Sequence, residues 1–293
     1  MALSKSDILA NPALHAVVKQ QSSALLAMTE PDPRLAAVFA TQQRWLMSHV
    51  GLALYFRGLA GGAGNSLQIS RFLEAVVAAK IASRNTADSY IKELIHYKYV
   101  EVLPSSADRR IRPLAPAPNV LSAIDGWVRI HLHALDRLSG GNRLAVYQAA
   151  PDALSRIQPL IADSLLDAHA VRHPAGTFSL FTWLDNGGTV MDWMMANMEE
   201  APKSTGRIAV GAVSTVEMAQ RLTLSRTHLA RKLKEAEDMG SLGWEGRRGQ
   251  SVMWVSRAFC DEYATAQAIK LSIVDAAHDA AFEPAGVSGA TAG

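Results

Sequence analysis

Apolar positions in this chain recur mainly at helical spacing, with a few short alternating stretches between. Residues 5–28 place Leu14, Val17, Val18, Leu25 and Leu26 on one face before Pro31-Asp32-Pro33 breaks the pattern. A proline suits a first helical turn, where its missing N–H costs nothing. One long amphipathic helix is predicted over 34–58, through Leu35, Val38, Phe39, Trp45, Leu46, Val50, Leu52 and Phe56, ended by Gly58 and Gly61-Gly62. A shorter helix over 66–80 turns Ile69, Phe72, Leu73, Val76 and Val77 inward, and Ile81-Ala82 is a turn.

The next stretch occurs twice. Ser225 lies 142 positions after Ser83, and at this offset Arg84/Arg226, Lys92/Lys234 and Glu93/Glu235 are also identical, with Ile91 facing Leu233. Each copy opens on a serine able to accept an amide hydrogen bond of the first turn. Each carries one apolar stripe: Ala87, Ile91 and Leu94 in the first, Leu229, Leu233 and Ala236 in the second. After the first come a strand over 99–103, the turn Pro104-Ser105-Ser106-Ala107, a return through Asp108–Leu114, and a helix over 120–138 capped by Asn119. Before the second come an edge strand over 208–213 and a support helix over 216–222 capped by Ser214 or Thr215. After it come Leu242–Glu245, the turn Gly246-Arg247-Arg248-Gly249, Gln250–Val255, and a closing helix over 257–282 with Phe259, Tyr263, Ala266, Ile269, Ile273 and Ala277 inward. The order helix, turn, helix, strand, basic turn, strand is that of a helix-turn-helix with a wing.

The fold class expected is mainly α with small β-wings (α+β): two winged helix-turn-helix domains joined through a helical pseudo-dimer core. The divisions are an N-terminal helical extension at 1–30, a first winged-helix domain at 31–141, a helical connector at 142–185 interrupted by Pro159, a second winged-helix domain at 186–283, and a disordered tail at 284–293.

Length and composition agree with a folded chain of about two domains: 293 residues, 49% hydrophobic, 19% charged. The net charge of +2 is too small to advertise nucleic-acid binding, so local distribution decides. The single cysteine, Cys260, fits a reducing compartment. No signal peptide or membrane span is evident, and a cytoplasmic, nucleoid-associated location is expected.

An α-helix enters the DNA major groove with the side chains opposite its packed face. On the second repeated helix that face holds Thr227, His228, Arg231 and Lys234, and on the first Asn85, Thr86, Ser89 and Lys92; Arg226 and Arg84 open the two helices. None of these is a carboxylate, and Glu93 and Glu235 lie at the edge of the face. Arg109, Arg110 and Arg112 on the first hairpin, and Arg247 and Arg248 on the second, suit a minor groove, whose width and potential arginine senses. The bland readings are a solvated helix face and a solubilised turn.

The run Asp108-Arg109-Arg110-Ile111-Arg112-Pro113-Leu114-Ala115-Pro116, behind a Ser-led helix and a strand, resembles the wing of the MarR family of winged-helix regulators. The order of elements over 34–138 is similar too; the Gly-Arg-Arg-Gly turn of the second copy lacks the aspartate. The resemblance implies a bacterial or archaeal transcription regulator, often a repressor and sometimes released by a small-molecule effector. Family members are homodimers with one winged helix per subunit. Here both sit in one chain, so an intramolecular pseudo-dimer is expected, with helices 34–58, 120–138, 189–199 and 257–282 as its shared core. Its partner would be double-stranded DNA carrying an imperfect palindrome; further association of two chains is left open. The alternatives are a winged-helix protein-interaction module without DNA binding and a ligand-responsive repressor.

Other signals are weaker. Asp167, His169 and His173 suggest a metal site without a clear full ligand set, and Glu93-x-x-His96 has the spacing of half a di-iron pair. Cys260 has only Arg257 nearby to activate it. The Met and Trp residues over 183–198 suit core packing or a ligand pocket between the halves. With no Gly-rich phosphate loop, nucleophile elbow or paired acid/base set, neither an enzyme nor a cofactor is expected.

Overall fold

A computed structural model describes residues 2–61, 67–104, 112–199 and 206–282. Two helices begin the chain, α1 (Lys5–Ala10) and α2 (Leu14–Thr29). The long helix predicted over 34–58 is two: α3 (Pro33–Val38) and α4 (Gln42–Gly61). The break at 39–41 has a local cause, because the Thr41 hydroxyl accepts the Arg44 N–H at 3.2 Å and starts a fresh helix.

Then follow α5 (Ile69–Ala78), α6 (Arg84–His96), β1 (Val100–Val102), β2 (Leu114–Pro116) and α7 (Pro118–Ser139). On α5, Phe72, Leu73 and Val76 are buried, but Val77, expected inward, is 44% exposed. The first turn of α7 is set by Pro118 with Ala117 at the cap, so Asn119 lies inside the helix and does not begin it. The middle of the chain folds as α8 (Arg143–Ala149), α9 (Ala153–Asp167), α10 (His169–Arg172) and α11 (Gly176–Thr182). Pro159, expected to interrupt, is itself buried and sits within an unbroken α9.

The second half continues with α12 (Gly187–Ala196), β3 (Arg207–Ala212), α13 (Thr215–Arg221), α14 (Arg226–Asp238), β4 (Leu242–Trp244), β5 (Val252–Ser256) and α15 (Arg257–Phe282). The described residues are thus mainly helical with two small antiparallel sheets. β1 pairs with β2, and the second sheet has the order β3-β5-β4. Leu114 N–H also donates to the Leu67 carbonyl at 2.8 Å, a single bond on the side of β2 that corresponds to β3 beside β5.

The two helix pairs end alike. After α5, Lys80 takes φ 53° and Ile81 N–H returns to the Val76 carbonyl; after α13, Thr223 takes φ 55° and Leu224 N–H returns to Ala219. After α6 and α14 the same left-handed closure falls on Lys98 (φ 59°) and Gly240 (φ 70°), with Tyr99 bonded back to Leu94 and Ser241 to Ala236. Such six-to-one closures satisfy carbonyls that a helix end leaves orphaned.

Packing between elements is reciprocal. α2 packs most extensively on α12 and then on α7, while α9 packs most extensively on α4 and then on α15; α1 lies on α15 as α8 lies on α7. The segments 1–30 and 142–185 therefore supply helices that bridge the two halves. Of the four helices expected to form the shared core, α7 and α15 meet directly, whereas α4 and α12 make their largest contacts with α9 and α2. One apolar cluster, from Leu35 to Ile124, fills the first half, and a larger one runs through α1, α2, the second half of α7 and everything after it. α15 presents Phe259, Cys260, Tyr263, Leu271 and Val274 to the core, leaving Ala266, Ile269 and Ile273 only half-buried, a rotation of the expected face.

Candidate nucleic-acid interface

Both repeated helices bury the stripe that the sequence predicts. Ala87, Ile91 and Leu94 of α6 are 0–6% exposed, and Leu229, Leu233 and Ala236 of α14 are 0–1% exposed. Their opposite faces are in solvent: Arg84, Asn85, Thr86, Ser89 and Lys92 on α6, and Arg226, Thr227, His228, Arg231 and Lys234 on α14, are all exposed. The helix starts are fixed by the expected serines. The Ser83 hydroxyl accepts Thr86 N–H at 3.2 Å, and the Ser225 hydroxyl accepts His228 N–H at 3.5 Å.

Several cations of these faces are already engaged. Lys92 donates to Asp88 at 2.6 Å, Lys234 to Asp238, and Arg231 lies 3.7 Å from Glu235, which also holds Lys232 at 2.8 Å. These are i,i+3 and i,i+4 pairs on exposed helix faces, worth about 0.3–0.5 kcal/mol each, so a phosphate can replace the carboxylate at little cost. Glu93 is held away from the exposed polar face of α6 by Arg44 of α4, whose guanidinium also lies over the Tyr90 ring at 5.3 Å.

The hairpins divide. Arg109 and Arg110 lie outside the described residues, and Arg112 is exposed beside β2. On the second hairpin Arg247 is exposed, whereas Arg248 pairs with Glu237 of α14 and lies 5.7 Å over the Trp244 ring. Arg248 therefore ties the hairpin to α14. The register aligns Gly243 with Trp254, and a Cβ at Gly243 would meet that ring at 2.4 Å, so only glycine lets the ring lie flat across β4. Arg207 of β3 covers the ring at 4.2 Å.

The other sequence signals find ordinary surroundings. His169 and His173 are 4.8 Å apart between ring centres, and no group of three His, Cys, Asp or Glu placed to hold a metal occurs among the described residues. Cys260 is 1% exposed, 3.3 Å from the Met198 sulfur, and burial pushes its thiol up to about 12. Among the described residues no helix is long and apolar enough to cross a membrane.

Between the halves, where a ligand pocket was the alternative to core packing, lies a cavity of about 260 Å³ lined from α2, α3, α4 and α7 on one side and α11, α12 and α15 on the other. Of the methionines and tryptophans over 183–198 that suggested a pocket, Met191 lines it; Met194, Met195 and Met198 are core, and Trp183 is 64% exposed. No family model, curated protein or solved structure matches the chain. A functional reading rests on the residues themselves.

Proposed function

We propose that this chain is a sequence-specific regulator that binds double-stranded DNA, built as two winged helix-turn-helix units in one polypeptide and resembling the MarR family in its first hairpin. The observation that carries the reading is the pair α6 and α14. Each is held by a buried stripe, capped by serine, closed by the same left-handed turn and followed by an antiparallel hairpin, and each leaves its polar face exposed to solvent. The reciprocal packing of α2 on α12 and α9 on α4 supports a pseudo-dimer, and it draws 1–30 and 142–185 into the paired halves.

The two reading faces differ, with Asn85 against Thr227, Thr86 against His228 and Ser89 against Arg231. Two-fold-related reading helices address half-sites about 10 bp apart, and arginine prefers guanine. The operator is therefore an imperfect palindrome with its guanine-rich half under Arg231. Selection of bound duplexes from a random library tests this: Arg231→Ala should relax one half-site and Asn85→Ala the other. Two identical half-sites, or no enriched motif, would refute it.

One observation favours a second reading, a protein-interaction module: Asp88, Asp238 and Glu235 already neutralise part of the cationic face. The salt dependence separates the two. DNA binding should weaken steeply between 50 and 200 mM salt as released counterions return, on the order of 10³-fold or more if about six phosphates are contacted.

A further inference from the structure

The two repeated helices are held in different ways. Their apolar stripes are alike, but apolar packing is non-directional. A stripe fixes which face turns inward and resists a small rotation of the helix only weakly. Base edges are read by hydrogen bonds, which weaken steeply as donor and acceptor leave alignment. A helix that reads bases therefore gains from a directional tie besides its stripe.

α6 has such ties, and they come from the first turns of α4. The Arg44 guanidinium pairs with the Glu93 carboxylate and lies 5.3 Å over the Tyr90 ring. The Ser48 hydroxyl donates to the Arg44 carbonyl at 2.8 Å, so it accepts from the Tyr90 hydroxyl at 2.7 Å. Gln43 Nε2 donates to the Ile81 carbonyl at 2.9 Å, in the turn that leads into α6. Tyr90 follows Thr86 by four positions and Glu93 follows Ser89 by four, so the brace runs alongside two residues of the polar face. The Arg44 and Glu93 side chains are 28% and 33% exposed. A pair this accessible adds little stability; what it fixes is direction.

The repeat does not encode the brace twice. At the 142-residue offset Gln43, Arg44, Ser48 and Tyr90 correspond to Asp185, Asn186, Val190 and Lys232. Asn186 donates to the Leu222 carbonyl at the end of α13, 3.1 Å away, and does not reach α14. Glu235, the counterpart of Glu93, is held by Arg231 and Lys232 of its own helix. Among the described residues, the ion pair that α14 makes outside itself runs from Glu237 to Arg248 of the following hairpin.

We propose that Arg44 is a positioning residue for the first half-site. Through Glu93 and Tyr90 it sets the rotation of α6 about its own axis, so that Asn85, Thr86 and Ser89 meet base edges in alignment. α14, without such a brace, adjusts to its own half-site. This rests on the reading of α6 and α14 as DNA-contacting helices.

The sign of one substitution separates positioning from plain electrostatics. Removing a carboxylate from a helix that faces DNA ordinarily strengthens binding, by relieving repulsion from the phosphates. Glu235→Gln should do so. Glu93→Gln relieves the same charge, yet it should weaken recognition of the first half-site, as should Arg44→Met, which keeps the apolar stem. The probes are the duplex that the native chain enriches from a random library and two versions of it, each with one half-site scrambled, titrated by fluorescence anisotropy at one salt concentration. The first half-site is the one that Asn85→Ala relaxes. Both substitutions should lower the preference for the intact over the scrambled first half-site about fivefold or more, and leave the preference at the other within about twofold. A second readout uses no DNA: spin labels on cysteines introduced at Ser89 of α6 and Leu59 of α4, both exposed, while the native Cys260 is buried. The distance distribution between them should broaden in Arg44→Met and in Glu93→Gln. If Arg44→Met does not fold, Glu93→Gln carries both arms. Unchanged preference in the folded variants, tighter first-half-site binding by Glu93→Gln, or an unbroadened distribution would overturn the proposal and leave the DNA reading standing. No duplex enriched by the native chain would overturn that reading, and the role of Arg44 with it.

Discussion

At the scale of single residues, the left-handed closures give a direct comparison within one chain. Lys98 and Gly240 occupy the same place after α6 and α14, with φ 59° and 70°. A side chain with a Cβ pays roughly 1–2 kcal/mol in that region, which glycine does not. Lys98→Gly should therefore raise stability by about 0.5–1 kcal/mol in urea unfolding, the gain reduced by glycine's freer unfolded chain; no change would mean the closure is not strained.

The buried histidines give a pH prediction. His49 is held down to about 3, first by burial and then by Lys270, against an ordinary value of 6.5. The unfolded chain takes up a proton that the folded chain refuses, so stability is present above pH 6.5 and lost as pH falls toward 3. Between pH 7 and 5 the loss is about 2 kcal/mol per histidine. Asp192 acts in the opposite sense: burial raises it to about 6, so lowering the pH through 6 relieves a folded-state cost. His49→Leu should lose about 2 kcal/mol less than the native chain between pH 7 and 5, read by urea unfolding at each pH; an unchanged slope would contradict the burial of a neutral ring. These pocket residues were only partly legible. Trp45, Trp127 and His131 read as members of an apolar face, and Lys270 sits seven residues, about two helical turns, after Tyr263 and so on the same side of α15, where a charged residue does not register in an apolar pattern.

At the scale of elements, α6 and α14 were the most legible, because capping serine, stripe and closing turn all agree. Leu233 is 1% exposed, so Leu233→Ala should cost about 2–5 kcal/mol. Thr227→Ala on the exposed face should stay within about 0.5 kcal/mol in thermal unfolding while changing DNA selectivity. A large stability loss at Thr227 would place that face in a packed interface. The errors were at boundaries. Apolar periodicity ran straight through residues 39–41, where a side-chain cap on Thr41 starts a new helix, and a proline counted as a breaker was accommodated inside α9.

At the scale of the molecule, the exchange of α2 and α9 between halves was not legible, since helix pairing depends on which faces meet and not on any one helix's pattern. A buried ion pair helps hold it. The Arg143 guanidinium at the start of α8 binds both oxygens of Asp275 on α15, which is 0% exposed and also accepts Leu3 N–H at 2.8 Å before α1. Asp275→Ala strands the Leu3 amide and removes two hydrogen bonds of that cation, which keeps Asp136 at 3.6 Å and the Ser139 hydroxyl at 2.7 Å, and should cost about 1.5–3 kcal/mol in urea unfolding; a loss under 1 kcal/mol would show that the junction contributes little.

The central claim is that one polypeptide presents two unlike reading helices to a single duplex. Its most direct measurement is selection of bound duplexes by the native chain and by Asn85→Ala and Arg231→Ala separately. The account predicts a motif of two unlike half-sites about 10 bp apart, with each variant relaxing a different half. A motif with one half-site, or two half-sites that both variants leave intact, would contradict it.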